Sequence, residues 1–361
     1  MTTSKVPYGK PDEGKSLVRI DNGEVASATP RRGSLLHKNL KTGSKTRTVL
    51  CAAVIAQAVF AGAYQMSVDE TLRITDANVA NYADGITFAS GSIVEFDTSA
   101  APTMKLTSTQ GNLANNYVKK INTADWTIAT PQGDYWGRYE IQGGTVTLDC
   151  VSALGYIWDS SCIAEVKSGA AVKVGPGSGT GYLRGRTLRI SGSGPDGNGA
   201  LIATANGAVS AQDYIELVDD ATINLGAYYI FVGNSLKLNG HCLTVKSTGG
   251  KELYFYQTLT AGKVVLDAAT LSMRGKDAAF AANEDGTIEM KNGSIVDFVN
   301  SGAVSPKPME LVRPILVSGK GTIRTASNNA DTFNFGTNCF RFTQPIMFNP
   351  GSTDCSLTIC P

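Results

Sequence analysis

The chain has 361 residues, of which 39 are Gly, with 17% charged and 42% hydrophobic. This mixture excludes a polar disordered chain and a helical bundle, and it fits a turn-rich all-β protein long enough to bury a large core. The net charge is +1, but residues 1–48 hold ten Lys/Arg against four Asp/Glu, so the remainder is net acidic and implies no nucleic-acid partner.

Residues 1–44 are rich in Lys, Ser, Gly and Pro without apolar periodicity, which predicts a disordered basic leader. Lys45-Thr-Arg47 then precedes the apolar run from Val49 to Ala63, which ends in the small-x-small pattern Ala61-Gly62-Ala63. Residues 45–63 therefore read as a secretory signal cleaved after Ala63. Gln57 interrupts the run, which falls short of the roughly 20 residues that cross hydrocarbon. A retained anchor, making a signal-anchored periplasmic protein, is the alternative; either way the membrane is met only through the export signal. Arg31-Arg32 stands too far upstream for a twin-arginine signal, and Leu50 before Cys51 argues against lipidation.

Beyond the signal, one short module recurs: a Gly or Asn corner, then four to six alternating residues. It appears as Gly91–Phe96, Gly144–Leu148, Gly169–Val174, Gly185–Ile190, Asn234–Leu238, Gly286–Met290, Gly293–Phe298 and Gly321–Arg324. Apolar/polar alternation predicts a strand with one buried face, and repetition of the unit predicts stacked coils. The segments 86–96 and 288–298 share six of eleven residues, and Ile93, Phe96, Ile295 and Phe298 are expected to face one interior. A looser echo links residues 218–225 to 266–273. The expected fold is all-β, a right-handed parallel β-helix, with residues 64–140 as cap and first coils, 141–325 as repeats and 326–361 as C-terminal cap or fragment end. A β-sandwich is the competing architecture, in which Asn206-Gly207, Asn239-Gly240 and Asn292-Gly293 would make hairpins.

Residues 143–148, 188–201, 214–225 and 236–245 carry, in order, a Gly-Thr-Val-Thr-Leu strand, a Gly-rich turn ending in Gly-Ala-Leu, an Asp-Ala-Thr-Ile strand and a Leu-x-Leu-x-Gly strand. That ordered set, over roughly residues 140–275, resembles the passenger repeats of bacterial autotransporter-type surface proteins. The resemblance implies a β-helix at the outer surface acting as adhesin or spacer. The chain departs from the family in lacking the alternating strands of a membrane barrel after the repeats.

Candidate chemistry is sparse. Gly192-Ser-Gly-Pro-Asp-Gly197 fits a dinucleotide spacing, but Pro195 and a following β run oppose the helix that the pyrophosphate needs. Gly175–Gly181 lacks the Lys-Ser/Thr ending of a phosphate loop. His241 and the carboxylates Asp149, Asp219, Asp220 and Asp267 each read as turn or strand-end residues, so no metal, cofactor or catalytic residue is expected. Trp126, Tyr135 and Trp136 are candidates for stacking on a sugar or protein partner, or else part of a cap. Six Cys beyond Cys51 permit disulfides in an exported chain, and proximity favours Cys150 with Cys162 and Cys355 with Cys360. The expectation is a secreted or cell-surface, adhesin-like, non-catalytic module whose partner is a carbohydrate or a host or cell-surface protein. The alternative is a β-helix polysaccharide lyase or hydrolase.

Overall fold

The computed structural model describes residues 62–108, 115–132, 134–150, 153–155, 162–174, 186–204, 209–211, 214–226, 229–232, 235–255, 258–275, 285–300, 309–327, 340–352 and 354–360. The leader 1–44, nearly all of the signal, Cys339 and the loop 175–181 lie outside these. Every ladder pairing among the described residues joins parallel strands, as in the successive pairs from Thr71–Thr75 to Ile93–Asp97 and from Lys263–Asp267 to Ile288–Lys291. Parallel neighbours cannot be joined by a two-residue hairpin, so the sandwich is excluded and the chain is a parallel β-solenoid. The coil length varies: ladder partners lie from 18 residues apart, as in Glu252 with Thr270, to 36, as in Arg324 with Cys360. Among the described residues the one helical element is a 3₁₀ turn at Val79–Tyr82.

The core is a set of columns in which equivalent side chains stack coil on coil. In the first ladder, Val94, Val118, Tyr139, Ala164, Leu188 and Ile215 follow one another in register. A second column runs Trp126, Val146, Val172, Leu201, Ile223, Val245, Leu266, Met290, Val317. A third runs Ile230, Leu253, Leu271, Val296, Ile323. All of these side chains are buried. Each contributes on the order of 1.5–3 kcal/mol by leaving water, which is why a short alternating segment holds as a strand only when stacked.

Parity corrects one expectation. Phe96 and Phe298 are buried, but Val94 and Val296, not Ile93 and Ile295, share their face. Successive strand residues point to opposite sides, so residues three apart cannot share a face.

Four of the module glycines, Gly91, Gly144, Gly169 and Gly293, have positive φ and make corners. Gly144 (φ 63°) and Gly169 (φ 83°) both adopt the left-handed region. A Cβ on Gly144 would lie 2.4 Å from the Thr123 carbonyl oxygen, whereas one on Gly169 would meet open space. Asn239-Gly240 and Asn292-Gly293 likewise have positive φ at both residues, and they turn one coil face into the next.

Two buried arginines tie non-adjacent coils. Arg186, fully buried, stands immediately before the strand Thr187–Gly192 and donates 2.6 Å to the Gly137 carbonyl, just before the strand Arg138–Ile141. The strand Ile163–Val166 lies between these two in the ladder. Arg313 repeats the device: it donates to the carbonyls of Gly262 (2.7 Å) and Leu259 (3.1 Å) and passes over the coil of Ile288–Lys291. Gly286 in that intervening coil leaves room for this contact: a Cβ there would sit 2.0 Å from the Gly262 carbonyl oxygen and 2.5 Å from an Arg313 guanidinium nitrogen.

A lysine also occupies an inward position. Lys120 aligns between Phe96 and Ile141 and is 2% exposed. Its ammonium donates to the carbonyls of Asn122 (2.7 Å) and Gly143 (2.5 Å) and lies 5.2 Å from the centre of the Trp126 ring. Burial pushes its pKa down to about 8, against the opposite pull of Asp125.

The two ends differ. Tyr64, Leu72, Val79 and Tyr82 pack against the first coil, where Ile74 is fully buried. In the last coil Phe348 and Ile359 continue the core columns above Val317 and Ile323, yet are 52% and 64% exposed. The strands Ile346–Phe348 and Ser356–Cys360 thus add one more rung to the ladders.

Candidate functional site

The outward face of the first ladder is a column of charges. Arg73, Glu95, Lys119, Glu140, Glu165, Arg189, Glu216 and Lys237 follow one another in register. Opposite signs meet at Lys119–Glu95 (3.5 Å) and Arg189–Glu216 (2.8 Å). The one like-charged step, Glu140 to Glu165, is relieved by Lys167, which pairs with Glu165, and by Gln142, which donates 2.6 Å to Glu140. Burial would raise the Glu216 carboxyl, but the hydrogen bond and charge of Arg189, with Asn239, hold it below its ordinary value. Half-exposed pairs of this kind are worth only a few tenths to about 1 kcal/mol each, so the column specifies register more than it stabilises.

Farther along, Glu289 is the most strongly held carboxylate. Lys263 approaches to 2.7 Å and Lys291 to 3.0 Å, and Glu289 is nearly buried. Burial alone would raise its pKa. Hydrogen bonds from Lys263, Lys291 and Ser318 outweigh that and lower it to about 2.

The aromatic candidates are placed differently from expectation. Trp126 and Tyr135 are buried in the column, so neither offers a face to a ligand. Trp126 donates its indole N–H to the Thr98 carbonyl (3.0 Å) and packs edge-on against Phe96. Tyr135 donates to the Arg138 carbonyl (3.0 Å) between the rings of Phe88 and Tyr139. Trp136 is half-buried, with its backbone N–H on the Ser108 hydroxyl. They belong to the third and fourth coils rather than to a cap. Aromatic clustering in sequence signalled core packing here.

The expected disulfides are likewise absent: Cys150, Cys355 and Cys360 are thiols. The sulfurs turn to different carbonyls, Cys150 to Ile128, Cys162 to Trp136 and Cys355 to Val317. The loop Gly192–Gly197 leads into the strand Leu201–Ala203, not into a helix, and so offers no dinucleotide site.

One constellation was missed when its members were read singly. Asp219, Asp220 and His241 come together, their donor atoms all within 4.8 Å of one another. Asp219 and Asp220 project from the middle of Tyr214–Asn224, where the ladder register shifts: Leu217 pairs with Ile190, but Ala221 pairs with Gly192. His241 follows the Asn239-Gly240 corner of the next coil, its N–H on the Leu238 carbonyl. The Cys242 N–H donates 2.7 Å to the Asp220 carboxylate. The signal available in sequence was spacing: positions 220 and 242 lie one coil apart. No family model, curated protein or solved structure matches this chain.

Proposed function

We propose that this chain is an exported, non-catalytic solenoid that serves at the cell surface or in the surrounding medium as an adhesin-like binding or structural module. The observation that carries this reading is the separation of roles within each coil. Largely apolar columns, with Lys120 as a buried exception, stack inside, while a column of charges and polar side chains repeats in register outside. Such a shaft holds a polar face at fixed spacing, which suits a carbohydrate or protein surface with a matching repeat. The sequence supports export: the basic Lys45-Thr-Arg47, the apolar run from Val49 to Ala63 and the small-x-small Ala61-Gly62-Ala63 follow one another as in a secretory signal.

The test is expression of the full chain with its own leader in a bacterial host, followed by fractionation and N-terminal sequencing. A mature form beginning at Tyr64 outside the cytoplasm is expected. A cytoplasmic product retaining Met1 would remove the export reading. The second reading, a polysaccharide-active enzyme, draws on the convergence of Asp219, Asp220 and His241. Release of reducing ends or unsaturated products from an acidic polysaccharide, lost in Asp219→Asn/Asp220→Asn, would favour it.

A further inference from the structure

We propose that Asp219, Asp220 and His241 bind a divalent transition-metal ion of the zinc class and thereby join two successive coils. The His241 Nδ1 lies 3.9 Å from an Asp219 carboxylate oxygen and 4.0 Å from one of Asp220. With all three donor atoms within 4.8 Å of one another, an ion equidistant from them sits about 2.3–2.5 Å from each, near the roughly 2.0–2.2 Å of zinc–oxygen and zinc–nitrogen bonds. A small rotation of the exposed carboxylates closes the difference, and the remaining coordination positions face water.

Charge balance points the same way. Among the described residues, Glu95, Asp97, Glu165, Glu216, Glu289 and Asp297 each have a Lys or Arg partner. Asp219 and Asp220 stand side by side, and among the described residues His241 is the one basic group within ion-pair reach of them. Two adjacent carboxylates repel, and a bound dication relieves that repulsion. Backbone geometry adds a reason. The ladder register breaks at residues 218–220, so coil-to-coil hydrogen bonding is interrupted where the ion would sit. Asp220 is already oriented by the Cys242 N–H, and Asp219 accepts from the Asp220 N–H at 2.8 Å. An imidazole among the donors selects zinc, cobalt or nickel over calcium and magnesium, which take all-oxygen shells.

The test titrates the metal-stripped full chain, kept reduced, with ZnCl₂ by calorimetry and thermal melting, and with CoCl₂ by absorption. The chain has two histidines, His37 and His241, so His37→Ala is the matched control. One equivalent of zinc bound with a raised melting temperature is expected, unchanged in His37→Ala. Binding should be lost in His241→Ala and weakened at least about tenfold in Asp219→Asn/Asp220→Asn, with unaltered circular dichroism. Calcium should bind at least about tenfold more weakly than zinc. The proposal is overturned by zinc binding that survives His241→Ala, by a cobalt–thiolate charge-transfer band, by calcium binding as tight as zinc, or by no saturable zinc binding. None of these outcomes bears on export or on the adhesin-like reading.

Discussion

Replacing Lys120 with Met isolates the energetics of an ammonium inside the apolar column. The folded pKa of about 8 lies below the ordinary value of about 10.4 for an unfolded lysine. Below pH 8 both states carry the charge, and the folded state bears the full cost of burying it. Above about pH 10.5 both are neutral and that cost is gone. The gap corresponds to about 3 kcal/mol at 1.36 kcal/mol per tenfold change in proton affinity. Wild-type stability from this group should therefore rise by up to about 3 kcal/mol between pH 8 and pH 10.5. The raised values of the buried Tyr135 and Tyr139 act in the opposite direction over the same range because the unfolded phenols ionise first. Subtracting the Lys120→Met curve removes them, since they are common to both proteins. At pH 7 the Met variant should stand near wild type, because losing the charge offsets losing hydrogen bonds to the Asn122 and Gly143 carbonyls. Urea unfolding followed by far-ultraviolet circular dichroism, with reductant, from pH 7 to 10.5 gives the difference curve. A flat difference would refute the reasoning, because it would mean that Lys120 is as well solvated folded as unfolded.

Glu289→Gln should cost about 2–3 kcal/mol at pH 7, since a carboxyl held at about 2 contributes stability above its unfolded value near 4.3. That contribution should fade as pH drops from about 4.3 through 2, which acid titration of the two proteins checks. Arg186→Lys should cost about 1–3 kcal/mol in urea, because one ammonium cannot reproduce the forked bonds to the Gly137 and Tyr135 carbonyls, and faster amide exchange should centre on residues 135–139. Gly169→Ala should cost about 1–2 kcal/mol from its left-handed φ alone. Gly144→Ala should cost about 2 kcal/mol more, since its Cβ collides with backbone carbonyls; equal losses in the two melts would contradict the corner geometry.

All eight recurrent modules fold as strands, because alternation reports directly on a half-buried strand and stacking supplies the missing face. Parity, applied consistently, also reveals Lys120: with Val118 inward, residue 120 must point inward too, whatever its charge. Trp126 and Tyr135 were harder to place, since an aromatic beside Asp125 or Asp134 looks the same in sequence whether it faces ligand or core. Asp219, Asp220 and His241 were opaque for another reason. Their proximity depends on a coil length that varies from rung to rung, and sequence alone does not fix it.

The reach of Arg186 and Arg313 alters how such a shaft would come apart. A column linked solely through adjacent rungs can fray from an end one rung at a time. A guanidinium that grips a corner two rungs away makes the middle rung a captive: it cannot loosen without breaking a buried clasp that belongs to its neighbours. Stretching or denaturing this molecule should therefore release blocks of three rungs, near residues 137–190 and 262–317, as sudden steps rather than a gradual unzipping.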